Sequence, residues 1–288
     1  MASKNNDLFL RFPGGLAKAL TLSYDDGVTE DIRLVELLDR YGVKGTFNIN
    51  SGQYAKDGTP SRPDRAWGQR MTREQVTALF SNSNHEVALH TLTHPHLENL
   101  PVPQAVYEII KNREILEEQF QTIVRGMAYP FGTYSDEVVD VLRACGVVYA
   151  RTTKETKAFD LPADWLRMPA TCHHKSPDLP ELVDSFLSKT PDNKRAPMLF
   201  YLWGHSYEFE RDGNWDIMER FCERMGNREE IWYATNMEVY EYVEAFRALV
   251  FSANMNLVTN PTAKTVWFAF NGKSYQIEPG ETLHLFDA

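Results

Sequence analysis

Short apolar runs alternate with helical patterns along most of the chain. The runs that favour strands cover residues 19–24, 46–50, 86–90, 126–129, 147–151, 198–203 and 231–235. Helical patterns cover residues 29–41, 106–120, 136–145, 179–189, 215–225 and 238–250, and a capping box at residues 72–75 starts one more. Such alternation is typical of βα units around a parallel sheet. We therefore predict an α/β fold, a distorted barrel of seven or eight (β/α) units.

The last part of the chain has a different pattern. From residue 254 onward apolar and polar residues alternate, and Asn271-Gly272 separates two of the alternating runs. An Asn-Gly pair in this position is a strong signal for a β-hairpin. We predict a barrel domain over residues 1–250 and a small antiparallel β appendage over residues 251–288 that packs on the barrel.

The composition argues against several classes of partner. The 288 residues carry a formal net charge of −10, which would repel nucleic acids and anionic membranes. No run approaches the roughly 18 apolar residues of a membrane helix. The first residues lack the apolar core of a secretory signal, and the three cysteines form no CxxC pair. We expect a cytoplasmic protein that binds neither nucleic acid nor membrane.

Two adjacent carboxylates follow the first predicted strand, in the segment Ser23-Tyr24-Asp25-Asp26-Gly27. Burying two charged carboxylates costs free energy, so packing alone does not explain them. Gly27 permits a tight turn and the close approach of a ligand. Taken alone, the segment also fits an exposed turn in which an aspartate caps the next helix.

Two histidines, His90 and His94, follow another predicted strand in the segment HTLTH. Histidines four residues apart point the same way if the segment is helical, and both can then bind one metal ion. Alone, the pair also fits surface or core histidines. Combined with Asp26, it supplies one carboxylate and two imidazoles, which suits catalytic zinc or non-haem iron. Asp25 would then be free to act as a base.

The order of three motifs resembles the polysaccharide deacetylases, carbohydrate esterase family four. SYDDG, HTLTH and YPFG (residues 129–132) correspond to that family's successive motifs, and the resemblance covers about residues 16–240. It implies a metal-dependent hydrolase that removes acetyl groups from an N- or O-acetylated carbohydrate. The implied cofactor is one divalent metal ion, zinc first, with cobalt, manganese, nickel and iron as alternatives.

The resemblance also implies a role for each motif residue. Asp25 is the general base, and the metal ligands are Asp26, His90 and His94. Phe131 lends a backbone N–H to the oxyanion, and His205 in LWGH is the general acid.

The sequence departs from the family pattern at three places. Ala128 stands where the family has an arginine that pairs with the base, and Arg125 or Arg151 could replace it. Asp164 resembles the aspartate that tunes the acid histidine, with Asp160 as a competitor. Trp203 replaces a smaller apolar residue and is expected to form a wall of the acetyl pocket.

The substrate is less well specified by the sequence. Tyr207 and Glu208 after the acid histidine, with Trp67, Arg62 and Arg65 in the long connection of residues 51–71, could line a sugar groove. The pair at residues 173–174 fits either substrate contact or surface exposure. Two alternatives stay open: an amide hydrolase for a small non-sugar compound, and a non-catalytic carbohydrate-binding relative.

Overall fold

The computed structural model describes residues 7–56 and 60–285. Its strands are β1 (Leu8–Arg11), β2 (Lys18–Asp25), β3 (Thr46–Ile49), β4 (Glu86–Leu89), β5 (Gly126–Ala128), β6 (Tyr149–Glu155), β7 (Met168–Ala170), β8 (Cys172–His173), β9 (Met198–Gly204), β10 (Ile231–Tyr233), β11 (Val250–Phe251), β12 (Leu257–Thr259), β13 (Val266–Phe270), β14 (Lys273–Ile277) and β15 (Thr282–His284). Its helices are α1 (Asp31–Arg40), α2 (Arg73–Phe80), α3 (Val102–Phe120), α4 (Asp136–Ala144), α5 (Leu179–Ser188), α6 (Tyr207–Asp212), α7 (Asp216–Met225) and α8 (Asn236–Arg247).

A parallel sheet forms the main body of the molecule. Eight of its strands follow one another in the order β7-β6-β5-β4-β3-β2-β9-β8, and β10 pairs with the first residues of β2. The two edge strands, β7 and β8, are separated in sequence by Thr171 alone, so the sheet must curl round until its edges meet. The Thr171 N–H then donates to Tyr201 O of β9 at 2.9 Å. The predicted distorted (β/α) barrel is confirmed.

Side chains alternate between the two faces of this curled sheet. In β2, Leu22 and Tyr24 belong to the large core that the surrounding helices cover. Ser23 and Asp25 therefore point to the opposite, inner face, where both are buried. The alternation thus directs the first carboxylate of the SYDDG segment into the barrel interior, at the end where the strand stops.

The C-terminal segment forms two small antiparallel sheets, as predicted, with the orders β11-β12-β15 and β1-β13-β14. Ala245 and Leu249, at the end of α8 and just beyond it, join the core of this appendage. The sequence did not indicate that β1, near the start of the chain, pairs with β13. A division at residue 250 would also cut through β11, because α8 already ends at Arg247.

Several short elements near the site were not predicted. They are β7, β8 and α6, and β6 also continues four residues past the predicted end, to Glu155. Short strands and one-turn helices carry too few residues for a periodic pattern to appear. Within residues 7–56 and 60–285, no helix combines the length and apolarity needed to cross a membrane.

Candidate functional site

A pocket of about 500 Å³ opens at the C-terminal ends of the parallel strands. Barrel folds commonly assemble their sites at this end, because each strand delivers its last side chains there. Eight of the residues that the sequence analysis placed in the site line the pocket: Asp25, Asp26, His90, His94, Phe131, Trp203, His205 and Tyr207. Asp164, which was expected beside His205, does not line it.

Asp26, His90 and His94 form a compact group of potential metal ligands. One ligand atom from each lies within 4.8 Å of the other two. His94 Nε2 is 3.9 Å from Asp26 Oδ1, a buried oxygen that has an ion-pair contact with Arg70 but accepts no well-aligned hydrogen bond among the described residues. A carboxylate oxygen has two lone pairs, so Asp26 Oδ1 can bind a cation beside this contact. The donor set and this oxygen both fit a divalent cation.

The two histidines converge through a bend, not through the helical turn that the sequence analysis considered. Thr91 and His94 have φ values of 63° and 62°, far outside the range of a right-handed α-helix. Helix α3 holds the bend from behind. Glu108 accepts from the Thr93 N–H at 2.8 Å, and Asn112 accepts from the His90 N–H at 3.1 Å.

The protonation of both imidazoles also suits metal binding. His90 Nδ1 lies 2.8 Å from Ala128 O, so it donates its proton there and leaves Nε2 free as a ligand. Burial lowers the pKa of His90. Burial and the neighbouring His90 lower the pKa of His94 to about 4. Both rings are therefore neutral at pH 7, the form that coordinates metals.

Asp26 occupies a strained backbone position and pairs with Arg70. Its φ of 88° is unusual for a residue with a Cβ, and such outliers concentrate at functional sites. The Arg70 guanidinium donates to the Asp26 carbonyl oxygen, and its Nη2 lies 2.9 Å from Asp26 Oδ1. Burial would raise the pKa of Asp26, but Arg70 and His90 lower it well below its usual range.

Asp25 is held by an arginine on another strand. Arg151, fully buried on β6, donates to Asp25 Oδ2, and Asn48 donates to Oδ1 at 2.9 Å. Burial would raise the pKa of Asp25, but Arg151, with smaller contributions from His90 and His205, outweighs it and lowers the pKa. Asp25 is therefore ionised at neutral pH. Its Oδ2 also lies 4.0 Å from His90 Nε2 and 3.8 Å from His205 Nε2.

Phe131 lies on a tight turn at the pocket rim. Its φ is 60°, and Gly132 follows with φ 73°. A Cβ on Gly132 would overlap Thr153, so only glycine fits. The Phe131 ring, half exposed, stacks on His96 with ring centres 3.8 Å apart and meets His94 edge-on at 4.5 Å. His96 thus supports the turn from outside the ligand group.

His205 contributes a third imidazole to the pocket. Its Nδ1 lies 3.4 Å from Glu208 Oε2, on the first turn of α6. Burial would lower the pKa of His205, but the hydrogen bond with Glu208 and the charges of Asp25 and Asp26 raise it above its usual value.

Aromatic side chains form one wall of the pocket. The Tyr207 ring lies 5.2 Å from the His205 ring and stacks on Trp67 at 5.5 Å. On the other side Trp203 lies beneath the Arg151 guanidinium, whose carbon is 4.5 Å from the indole centre. Arg62 of the long connection also lines the pocket.

Comparison with known proteins shows a family resemblance over part of the chain. The family model "Polysaccharide deacetylase" matches residues 14–150, which contain SYDDG, HTLTH and YPFG. Over these residues the chain is similar to the polysaccharide deacetylases.

Two curated relatives and one solved structure are similar to this chain. The chitooligosaccharide deacetylase of Sinorhizobium fredii is 26% identical over 175 residues, covering 60% of this chain and 67% of the relative. YxkH of Bacillus subtilis, assigned to the polysaccharide deacetylases, is 23% identical over 141 residues, covering 48% and 45%. A Mycobacterium smegmatis protein with the same assignment has a TM-score of 0.59 at 17% identity, covering 83% of this chain and 94% of that one. This structure supports the shared fold.

The arginine that the resemblance leads one to expect at Ala128 has a structural replacement. Ala128 on β5 is the register partner of Arg151 on β6, so the guanidinium reaches Asp25 from the neighbouring strand. Arg125, the other candidate, donates to the Gly146 carbonyl oxygen at 3.0 Å outside the pocket. Of the two alternatives from the sequence, Arg151 is therefore the one that contacts Asp25.

Asp164 does not lie beside His205, which corrects its expected placement. Its carboxylate accepts from the Leu166 N–H at 2.9 Å and from Arg167 at 2.5 Å, because Asp164 caps a short 3-10 turn. The competitor Asp160 is exposed. Among the described residues, the carboxylates within 4.0 Å of the His205 nitrogens belong to Asp25 and Glu208.

His173, His174 and Glu208 also satisfy the distance condition for a metal site, but their protons argue against one. The Lys175 N–H donates to His173 Nδ1 at 3.1 Å, so the proton of a neutral His173 ring is on Nε2. That protonated nitrogen faces Glu208 at 3.0 Å and has no lone pair for a cation. The free Nε2 of His90 therefore fits a metal ion, and the protonated Nε2 of His173 fits a hydrogen bond.

Proposed function

We propose that the protein is a metal-dependent hydrolase that removes acetyl groups from an N-acetylated, or O-acetylated, carbohydrate. One observation carries the proposal. An ionised Asp25 lies between the potential metal ligands and the candidate acid. Its Oδ2 is 4.0 Å from His90 Nε2 and 3.8 Å from His205 Nε2. A base, a proton donor and a cation site within reach of one another suit hydrolysis.

Asp26, His90 and His94 would hold the metal ion, with zinc as the first candidate and cobalt, manganese, nickel or iron as alternatives. When bound, the ion would supply Lewis acidity that polarises the acetyl carbonyl and makes a nearby water more acidic. Three protein ligands leave room for water and substrate, as catalytic sites require.

Asp25 would take the proton of the attacking water. Its lowered pKa, caused by Arg151, keeps the carboxylate ready to accept at neutral pH. Asn48 fixes Oδ1 from the barrel interior at 2.9 Å, so Oδ2 is the oxygen that faces His90 and His205. The same carboxylate is buried, which limits competition from bulk water.

Phe131 and His205 would act on the other side of the reacting carbon. The strained turn at Phe131 suits a backbone N–H that stabilises the developing oxyanion, a contact worth about 3–4 kcal/mol in hydrolases of this kind. His205 would protonate the leaving amine or alcohol from Nε2. Its raised pKa increases the fraction that carries this proton at neutral pH.

The aromatic wall supports a carbohydrate as the substrate. Tyr207, supported by the stacked Trp67 ring, offers a flat apolar face to the pocket, and Trp203 would border the acetyl group. Arg62 and Gln53 add hydrogen-bond donors for sugar hydroxyls or the acetamide. A water-soluble acetylated oligosaccharide is the substrate class we would test first.

Acetate release from a panel of acetylated glycans tests the proposal. Metal-stripped protein should be inactive, and activity should return on adding one of the divalent ions in turn. Asp26→Ala should abolish both metal binding and acetate release. Activity that survives both the chelator and Asp26→Ala would refute the metal-dependent mechanism. Release only from small N-acetylated compounds would favour the non-sugar amide hydrolase instead.

A further inference from the structure

Three histidines surround one carboxylate oxygen beside the pocket. Glu208 Oε2 lies 3.0 Å from His173 Nε2, 3.4 Å from His174 Nε2 and 3.4 Å from His205 Nδ1. Glu208 is itself buried, with 9% of its surface exposed. A carboxylate in this position acts directly on whichever imidazole donates to it.

Strand register and one helical turn create the arrangement. His173 on β8 is the register partner of Trp203 on β9, two residues before His205. Helix α6 starts at Tyr207, so Glu208 lies one turn after His205 and faces back toward it. His174 packs against Gly204, where a Cβ would overlap its ring. Two parallel strands and the start of a helix therefore meet at this carboxylate.

The hydrogen-bond directions give each histidine a different part. Because the Lys175 N–H donates to His173 Nδ1, the His173 Nε2–H donates to Glu208. On the other carboxylate oxygen, Arg211 Nη2 lies at 3.3 Å and Lys175 Nζ at 3.8 Å. These partners hold Glu208 ionised and in place. Burial would raise the pKa of Glu208, but its bonds to His173 and His205 lower it far below its usual range.

His174 takes no such part. It is fully buried between the rings of Tyr24 and Phe209, and burial lowers its pKa well below the usual value. Although its Nε2 is 3.4 Å from Glu208, neither ring nitrogen makes a hydrogen bond among the described residues. The neutral ring therefore serves as packing behind the carboxylate.

We propose that Glu208, held by His173, is the positioning residue of His205. It accepts a hydrogen bond from the His205 Nδ1–H, so that Nε2 faces the pocket, and its charge favours the protonated ring. Glu208 thus takes the part that the sequence assigned to Asp164, and His173 gains a role that the sequence left open. The inference rests on the acid role proposed for His205.

The charged and titratable groups that face His205 define the pH experiment. Glu208 lies on its Nδ1 side and Asp25 on its Nε2 side, 3.8 Å away. Asp26, the residue after β2, adds a negative charge that also raises the pKa of His205, and the Tyr207 ring lies 5.2 Å from the His205 ring. Replacing Glu208 alone leaves the other three groups unchanged.

The test combines kinetics with NMR of the zinc-loaded protein. In Glu208→Gln we expect kcat to fall by about 10- to 100-fold, the usual cost of losing the group behind a functional histidine, with little change in KM. The limb of the pH–rate profile due to His205 should move to lower pH, because the neutral amide no longer favours the imidazolium. His173→Phe should shift it in the same direction and by less.

Two variants serve as controls. Glu210→Gln makes the same chemical change on an exposed position of the same helix and should leave the profile unchanged. Asp164→Asn should also leave it unchanged. A shift of the His205 limb in Asp164→Asn, or none in Glu208→Gln, would overturn the inference.

NMR of ¹⁵N-labelled histidine decides the contact without any activity. Wild-type His205, assigned by comparison with His205→Gln, should be the Nδ1-protonated tautomer when neutral. An Nε2-protonated ring would contradict the role of Glu208, even if a variant failed to fold. If no glycan releases acetate, the proposed function fails, but the tautomer still tests the contact.

Discussion

Replacing Arg151 should reveal what the buried pair with Asp25 contributes. Arg151 is fully buried and Asp25 is 3% exposed, so solvent does not screen their charges. Removing one partner of a buried pair typically costs about 3–5 kcal/mol, because the other charge remains unpaired. Nε and Nη1 of Arg151 have no hydrogen-bond partner among the described residues, so burying the arginine already carries a cost. We therefore expect the free energy of unfolding of Arg151→Met to be lower by about 3 kcal/mol at pH 7, the low end of that range.

The pH dependence separates the charge from the packing. In the wild type the pKa of Asp25 is lowered, so the pair stabilises the protein above the unfolded pKa, about 4, and this contribution is lost as the pH falls. The stability difference between wild type and Arg151→Met should therefore be largest near pH 7 and shrink in acid. Urea unfolding of the metal-free proteins at several pH values measures it. An equal loss at all pH values would refute the charge argument and indicate lost packing.

The same substitution should change the pH–rate profile. Without Arg151 burial raises the pKa of Asp25, so the rate at neutral pH should fall and recover as the pH rises. A double variant with Ala128→Arg and Arg151→Ala moves the guanidinium from β6 to β5. It then stands at the register partner of residue 151, where the polysaccharide deacetylases normally have their arginine. This double variant should regain the wild-type profile, and Arg151→Ala alone provides its matched control.

Three further predictions follow from the same site. Asp26→Ala should lose the bound metal, measured by elemental analysis, while circular dichroism stays native; full metal content would exclude Asp26 as a ligand. Asn112→Leu should weaken metal affinity by about 10- to 100-fold in a chelator competition, because the His90 N–H loses its hydrogen-bond acceptor. Unchanged affinity would show that the bend at His90 does not depend on Asn112. Burial raises the pKa of Asp31 to about 8, so the wild type should lose stability as the pH rises from about 4 toward 8. Asp31→Asn should reduce this dependence of the free energy of unfolding on pH, measured by urea titrations. Equal pH dependence in the two proteins would contradict the prediction.

The sequence carried the main fold and the pocket residues because both depend on local patterns. Apolar runs predicted the parallel strands, and the motif residues stood at the ends of those strands. The carboxyl ends of parallel strands meet at one end of a barrel, so the meeting of Asp25, His90 and His205 could be expected.

What the sequence could not supply depends on register and hydrogen-bond direction. Arg151 reaches Asp25 only because it pairs with Ala128 across two strands, and no spacing in the chain encodes that register. Asp164 matched a motif by residue type, but its carboxylate accepts a hydrogen bond from the Leu166 N–H and caps a short 3-10 turn. Glu208 was expected to line a sugar groove. Its position one helical turn after His205 could not be predicted, because α6 is too short to show a periodic pattern.

The pairing of β1 with β13 has a consequence for how the chain folds during synthesis. Leu8 pairs with Phe270, so this strand leaves the ribosome long before its partner. Contacts between such distant residues form late, because closing the long intervening loop costs entropy first. The barrel can therefore assemble while β1 still lacks a partner, and its apolar side chains are exposed to chaperones in that interval. Completion of this sheet would then mark the end of folding, and substitutions in β13 should affect yield in cells more than the chemistry of the distant pocket.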